Sequence, residues 1–118
     1  VNYGGVVPPI GTLDLWPQFD MLVSPAYTET FGMALQEARY SGLVRMAVDG
    51  GFSRHHLPDG AVDLIAQGPV ELAQKMITLL ENSSKLSKFR REAIKEAKAL
   101  KDPEQLWQQQ ISEFCGQL

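Results

Sequence analysis

The feature that most limits the fold of this chain is an alternation between two kinds of apolar pattern. Asp20-Met21-Leu22-Val23-Ser24 is a short apolar run closed by Pro25, and Leu43 to Val48 is a second, closed by Asp49-Gly50-Gly51. Both read as buried strands. Between them Met33, Ala34, Leu35 and Ala38 recur at helical spacing, and Gly42 stands where a helix stop belongs. Strand, helix and strand in that order call for a crossover connection, which is right-handed and makes the two strands parallel. The expected class is therefore α/β, a parallel sheet covered by helices on both faces.

The rest of the chain extends the same alternation. Val1 to Val7 is rich in strand formers and ends at Pro8-Pro9, and a short helix is expected from Thr12 to Trp16, limited by Pro17. Phe52 to Gly60 reads as a loop with Pro58-Asp59-Gly60 as its turn, and Ala61 to Ala66 as a short strand stopped by Gly68-Pro69. Pro69 then opens a helix whose apolar face is expected from Val70, Leu72, Ala73, Met76, Ile77 and Leu80. Asn82-Ser83-Ser84 breaks it, with Ser83 or Ser84 as the cap of a basic helix running to about Lys101. Asp102-Pro103-Glu104 starts a last helix carrying Leu106, Trp107, Ile111 and Phe114 on one side. Four short strands are few for so many helices, so these 118 residues read as a piece of a larger α/β domain.

Composition narrows the functional classes. No apolar run approaches the ~20 residues that span a bilayer. The lone Cys115 has no internal disulfide partner, which fits a reducing, cytoplasmic setting. The net charge of −3 hides an asymmetry: residues 85 to 101 hold seven basic side chains against Glu92 and Glu96, a local +5, leaving −8 elsewhere. Such a helix is a candidate peripheral membrane contact, or simply a solvated face. Nucleic acid is disfavoured, because only Phe89 interleaves with the basic residues.

The chemistry concentrates between residues 20 and 51. In parallel α/β sheets, ligands bind beyond the C-terminal strand ends, where loops lead into helix N-termini. Pro25 to Thr30 is such a loop, and Gly32 has no Cβ to keep a phosphate from the backbone amides at the helix start. A carboxylate beside a phosphate repels it, so Glu29 is better aimed at sugar hydroxyls; Glu37, on the second turn, suits a ribose on the far side of a diphosphate. The spacing alone is weak, because Glu96 and Glu104 repeat it on a charged helix with no glycine turn between them. A capping carboxylate at Glu29 and an exposed helix residue at Glu37 are the plain alternatives. Stronger than the spacing is the whole order of strand, proline loop, Glu29, Phe31-Gly32, helix, Glu37, Gly42 and strand.

Asp20 to Gly51, DMLVSPAYTETFGMALQEARYSGLVRMAVDGG, resembles the donor-binding segment of retaining GT-B glycosyltransferases of the group 1 (family 4) type. Val1 to Val7 and Pro69 to Asn82 resemble neighbouring elements of that family more weakly. The resemblance implies a Rossmann-like parallel sheet with flanking helices. The chain would be the later half of a GT-B C-terminal domain, with 1–82 as α/β core and 83–118 as C-terminal helices. It implies transfer of a hexosyl group from a nucleotide-diphosphate sugar, with retention of configuration and no metal or other cofactor. Glu29 would contact the transferred sugar as the catalytic-site carboxylate. Thr30, Phe31, Gly32 and Met33 would offer backbone amides to the donor, and Glu37 would hold the ribose hydroxyls. The N-terminal acceptor domain and the basic pair that binds the donor diphosphate would lie outside these residues. A non-catalytic remnant or binding module is the alternative reading. Another GT-B enzyme, such as a nucleotide-sugar epimerase, draws no support from the Phe-Gly step.

This sequence departs from the family pattern at Ala26, usually serine; at Ser24, usually apolar; and at Val44-Arg45, where a proline is usual and no charge is expected. Arg45 is expected either at a strand end or as a mark of relaxed constraint. In the loop beyond, Gly50 and Gly51 are candidates for close backbone approach to the donor, and Arg54 for reaching an anion. His55 and His56 are adjacent, diverge in an extended segment, and have no third ligand at a metal-site spacing. Ser53 has no base partner, and no nucleophile elbow is present. Trp107 and Phe114 read as packing residues.

Overall fold

The computed structural model describes residues 18–25, 32–100 and 103–116, with the side chains of 103–107 and 110 excepted. The expected strand at Val1 to Val7, the helix at Thr12 to Trp16, and the loop residues Glu29, Thr30 and Phe31 lie outside that set. So do the side chains of Leu106 and Trp107.

Three strands form one parallel sheet among the described residues: β1 (Met21–Ser24), β2 (Val44–Val48) and β3 (Ile65–Ala66), in the order β1-β2-β3. Met21 pairs with Val44 and Ser24 with Ala47, while Ala47 and Val48 pair with Ile65 and Ala66. Between β1 and β2 runs α1 (Met33–Tyr40), and after β3 come α2 (Pro69–Glu81), α3 (Ser83–Ala99) and α4 (Pro103–Gly116). The Rossmann-like α/β class expected from the alternation is the one observed.

All of β2 is buried, which follows from its central place and its two covered faces. Val44, Met46 and Val48 join Leu64, Leu72, Leu79 and Ala93 in the larger core cluster, under α2 and α3. Ala47, on the opposite face by the period-2 alternation, packs with Leu35 of α1 and with Leu57. Helix α1 ends as the sequence requires: Gly42 has φ +78°, its N–H donates to the Arg39 carbonyl at 3.3 Å, and the Leu43 N–H donates to that of Ala38 at 3.0 Å. These two bonds satisfy carbonyls that a helix C-terminus otherwise leaves open. A Cβ added at Gly42 would stand 3.5 Å from the Ile94 Cα, an ordinary van der Waals distance, so it is the positive φ and not lack of space that favours glycine here.

Four expectations need correction. The strand expected over Ala61 to Ala66 shrinks to Ile65–Ala66, because bonds from Ala61 N to Pro58 O, Val62 N to Gly60 O and Leu64 N to Ala61 O fold 61–64 into turns. The inward face of α2 is Leu72, Met76 and Leu79; Val70 is 73% exposed, and Ala73, Ile77 and Leu80 are exposed as well. The α3 cap is Asn82, whose Oδ1 accepts from the Lys85 N–H at 3.1 Å, and not Ser83 or Ser84. Arg45 is neither at a strand end nor relaxed: it sits inside β2 at 1% exposure.

Candidate functional site

The C-terminal ends of the three parallel strands point the chain into the loop after Ser24, the Asp49-Gly50-Gly51 turn, and the step from Ala66 to α2. At the first of these, Gly32 is the N-cap of α1 in the left-handed region, φ 86° and ψ 55°, a conformation that only glycine takes without strain. Its carbonyl accepts from the Gln36 N–H at 3.0 Å, closing the first helical turn. Among the described residues no side chain caps this terminus, and the first turn of α1 carries no acidic residue. The partial positive charge of the helix start is therefore not neutralised from within its own first turn. Met33 is half exposed beside it, and Glu37 follows one turn later, about 6 Å along the axis. Gln36 is buried, and its Oε1 has no hydrogen-bond partner among the described residues.

At the second strand end the loop expected over Phe52 to Gly60 contains a 3-10 turn, Ser53–His56. Ser53 is buried and structural: its Oγ is 2.9 Å from the Val48 carbonyl and 2.8 Å from that of Gly50, and it accepts from the Gly50 N–H at 3.3 Å. Gly51, at φ +56°, turns the chain. Arg54 is paired with Asp49, its Nε 3.4 Å from Oδ1 and its second nitrogen on Oδ2. The hydrogen bond from Arg54 holds the Asp49 carboxyl below its ordinary pKa, and Asp49 in turn raises that of Arg54. The two histidines lie in this 3-10 turn and not in the extended segment expected: His55 stacks on Phe52 at 4.1 Å, while His56 is buried with its ring edge-on to Phe52 at 5.5 Å. Phe114 of α4 meets Phe52 edge-on at 5.4 Å. No group of three or more His, Cys, Asp or Glu suited to a metal ion occurs among the described residues.

Helix α1 packs against this 3-10 turn, and Arg39, near the far end of the helix, shares a crevice with Arg54. Two crevices open from the turn. One of about 370 Å³ runs along β3 past Arg54, Gln67, Glu71 and Lys75. The other, of about 330 Å³, lies toward α4 and is lined by Arg39, His55, Asp59 and Glu113. In the first, Glu71 accepts from the Gln67 N–H at 2.9 Å and pairs with Lys75 at 3.1 Å, and those two contacts lower its pKa.

Behind α1 lies an ionic cluster that no expectation contained. Glu96 Oε1, on α3, accepts from Arg45 of β2 at 2.8 Å and from the Arg39 Nε of α1 at 2.8 Å. Burial lowers the pKa of the Arg45 guanidinium, and Glu96 opposes that shift. Burial would raise the Glu96 carboxyl, but hydrogen bonds and charge from Arg45 and Arg39 outweigh it and leave the pKa below the ordinary value. The sequence signal for this cluster is a charge inside an apolar strand, which demands a buried partner. Other charges of the basic helix also find acids nearby: Lys85 meets Asp63 at 2.8 Å, and Arg90 meets Asp20 at 2.8 Å. No helix among the described residues is long and apolar enough to cross a membrane.

The family model of glycosyl transferases group 1 matches residues 13–99. A three-stranded parallel sheet with its helices, covered by that match over most of its length, defines a Rossmann-like glycosyltransferase domain. The chain belongs to the group 1 glycosyltransferases, a family that moves sugars from a donor to an acceptor. No curated protein matches the chain.

Proposed function

We propose that this domain binds the nucleotide-diphosphate sugar donor of a retaining hexosyl transfer, at the N-terminus of α1. The observation that carries the reading is Gly32: a left-handed helix start with no side-chain cap among the described residues and no acidic residue in its first turn, followed one turn later by Glu37. The amides of Gly32 and Met33, with those of Thr30 and Phe31, hold the diphosphate, and Glu37 accepts hydrogen bonds from the ribose hydroxyls. Glu29 contacts the transferred sugar. Gly50, Gly51 and Arg54 border the donor from the neighbouring turn, with Arg54 exchanging its Asp49 contact for the anion. Charge on the departing diphosphate is stabilised by these fixed donors rather than by a metal. The family-4 type, the 1–82 and 83–118 division, a separate N-terminal acceptor domain, a cytoplasmic location and peripheral membrane contact through the 85–101 helix belong to the same reading.

Calorimetric titration with UDP, GDP and ADP sugars tests it on the wild-type chain and on Glu37→Ala. The expected result is binding of one nucleotide class by the wild type, weakened by at least about tenfold in the variant, since charge-assisted hydrogen bonds are worth roughly 1.5–3 kcal/mol each. A wild-type chain that binds none of them at about millimolar concentration, near −4 kcal/mol, defeats the donor-site reading.

A further inference from the structure

Helix α1 is eight residues long, about 12 Å, too short to bend and so obliged to move as one piece. In the donor reading its ligand-facing end is the Gly32 terminus, which no side chain among the described residues caps. Its far end is held at α3 in two ways: Arg39 on Glu96 at 2.8 Å, and the Tyr40 hydroxyl on the carbonyl of Leu100, just past the end of α3, at 3.2 Å. Of these the Arg39 contact has a distinctive construction. The oxygen that accepts it, Glu96 Oε1, is also the oxygen that accepts from Arg45 in the middle of the sheet. Arg45 is fixed by its strand and by burial at 1% exposure, so Glu96 is fixed in turn. Arg39 lies two residues beyond Glu37, so its reach to that oxygen adds a tie across to α3 to the packing of Leu35 on Ala47 and Leu57.

We propose that Arg39, Glu96 and Arg45 form a positioning device that aims α1 at its ligand. The device rests on the donor reading of Gly32 and Glu37 given above. None of the three touches the donor; each acts through α1. A buried arginine at this point of β2 is then explained: an apolar residue would fill the strand equally well but would not hold Glu96 still.

The test uses Arg39→Gln in the 118-residue chain, which spares the buried Arg45–Glu96 pair and so avoids the folding risk of removing Glu96. Two readouts are taken together: hydrogen exchange of the amides of residues 36–40 against those of 44–48, and calorimetry with UDP, GDP and ADP. Exchange in α1 is expected to quicken, and the nucleotide Kd to rise, each about threefold to tenfold, with the β2 amides unchanged. Arg39→Lys, which keeps the charge but not the planar fork, is expected to recover part of the affinity. Wild-type exchange in α1 of Arg39→Gln overturns the clamp. Loosened exchange with an unchanged Kd overturns its role in aiming and leaves a purely structural tie. If the wild type binds and Glu37→Ala does not, while Arg39→Gln binds normally, this proposal alone fails. If the wild type binds nothing, the donor reading fails and the aiming role with it, while exchange still decides the clamp.

Discussion

Arg45 and Arg54 both answer a carboxylate, one within β2 and the other in the turn just after it, yet the two pairs do different things. Arg54 is 64% exposed and meets Asp49, five positions back in the chain, so the pair closes a local turn. Arg45 is 1% exposed and meets Glu96, which lies 51 positions away on α3, so the pair joins layers of the fold. Exposed pairs contribute between about 0 and 1 kcal/mol, because water and salt compete for both partners. In a buried pair the attraction is stronger, but desolvation offsets most of it, and the large energy appears only when one partner is lost. Chain separation and burial, rather than the ion pair itself, thus decide which contact holds the architecture and which ornaments a loop.

The largest predicted effect follows directly. Glu96→Ala leaves Arg45 buried without its acceptor and should cost about 3–5 kcal/mol, read as a drop in the urea midpoint. Replacing both partners, as Arg45→Met with Glu96→Leu, should recover most of that loss, since apolar groups of similar volume substitute well for a buried pair. A single variant no worse than an exposed-pair deletion would erase the contrast between the two arginines.

Acid offers a smaller and more graded probe. The folded-state pKa of Glu96 lies below its ordinary value, under the hold of Arg45 and Arg39. Its contribution is therefore complete above the unfolded carboxyl range, ~4.3, and is lost as pH falls through the depressed folded value. Asp49 has the same sign of shift, caused first by the Arg54 hydrogen bond. The two separate by salt: at about 1 M, where the Debye length is near 3 Å, the Asp49 share should fade and the Glu96 share persist. Denaturant midpoints measured against pH in wild type and Glu96→Gln would show it. An acid limb of equal slope in both assigns the effect elsewhere.

What the chain declares about itself follows the same division between near and far. Gly42 at a left-handed position, Pro69 at the first turn of α2 and the Pro25 stop after β1 are local choices with local causes, and each stands where its residue type predicts. Gly32 stands at the start of α1 for the same local reason. The inward face of α2 was not. Val70, Ile77 and Leu80 are as apolar as Leu72, Met76 and Leu79, and only packing against β2 and β3 chooses between the stripes. Nor was β3 legible at its true length, because the apolar residues from Ala61 to Leu64 serve turns as well as strands. The Arg45–Glu96 contact had no local signal on the helix side, where Glu96 sits among lysines like any solvated residue.

The smallest predicted effect is the one most able to break the comparison. Arg54→Ala removes an exposed guanidinium from Asp49, whose carboxylate then returns to water at little expense. The turn it leaves keeps other supports. The Ser53 hydroxyl stays within reach of the Val48 and Gly50 carbonyls, the Ser53 N–H donates to Gly50 O at 3.2 Å, and the Leu57 N–H donates to Arg54 O at 3.2 Å, whatever the side chain. Phe52 remains buried between His55, His56 and Phe114. The urea midpoint should therefore match that of the wild type at low and high salt, while any loss of nucleotide affinity reports Arg54 at the donor rather than a damaged fold. A midpoint falling as far as that of Glu96→Ala would mean that five residues of separation can do what a buried contact across 51 does, and exposure would then be a poor guide to which charge holds this molecule together.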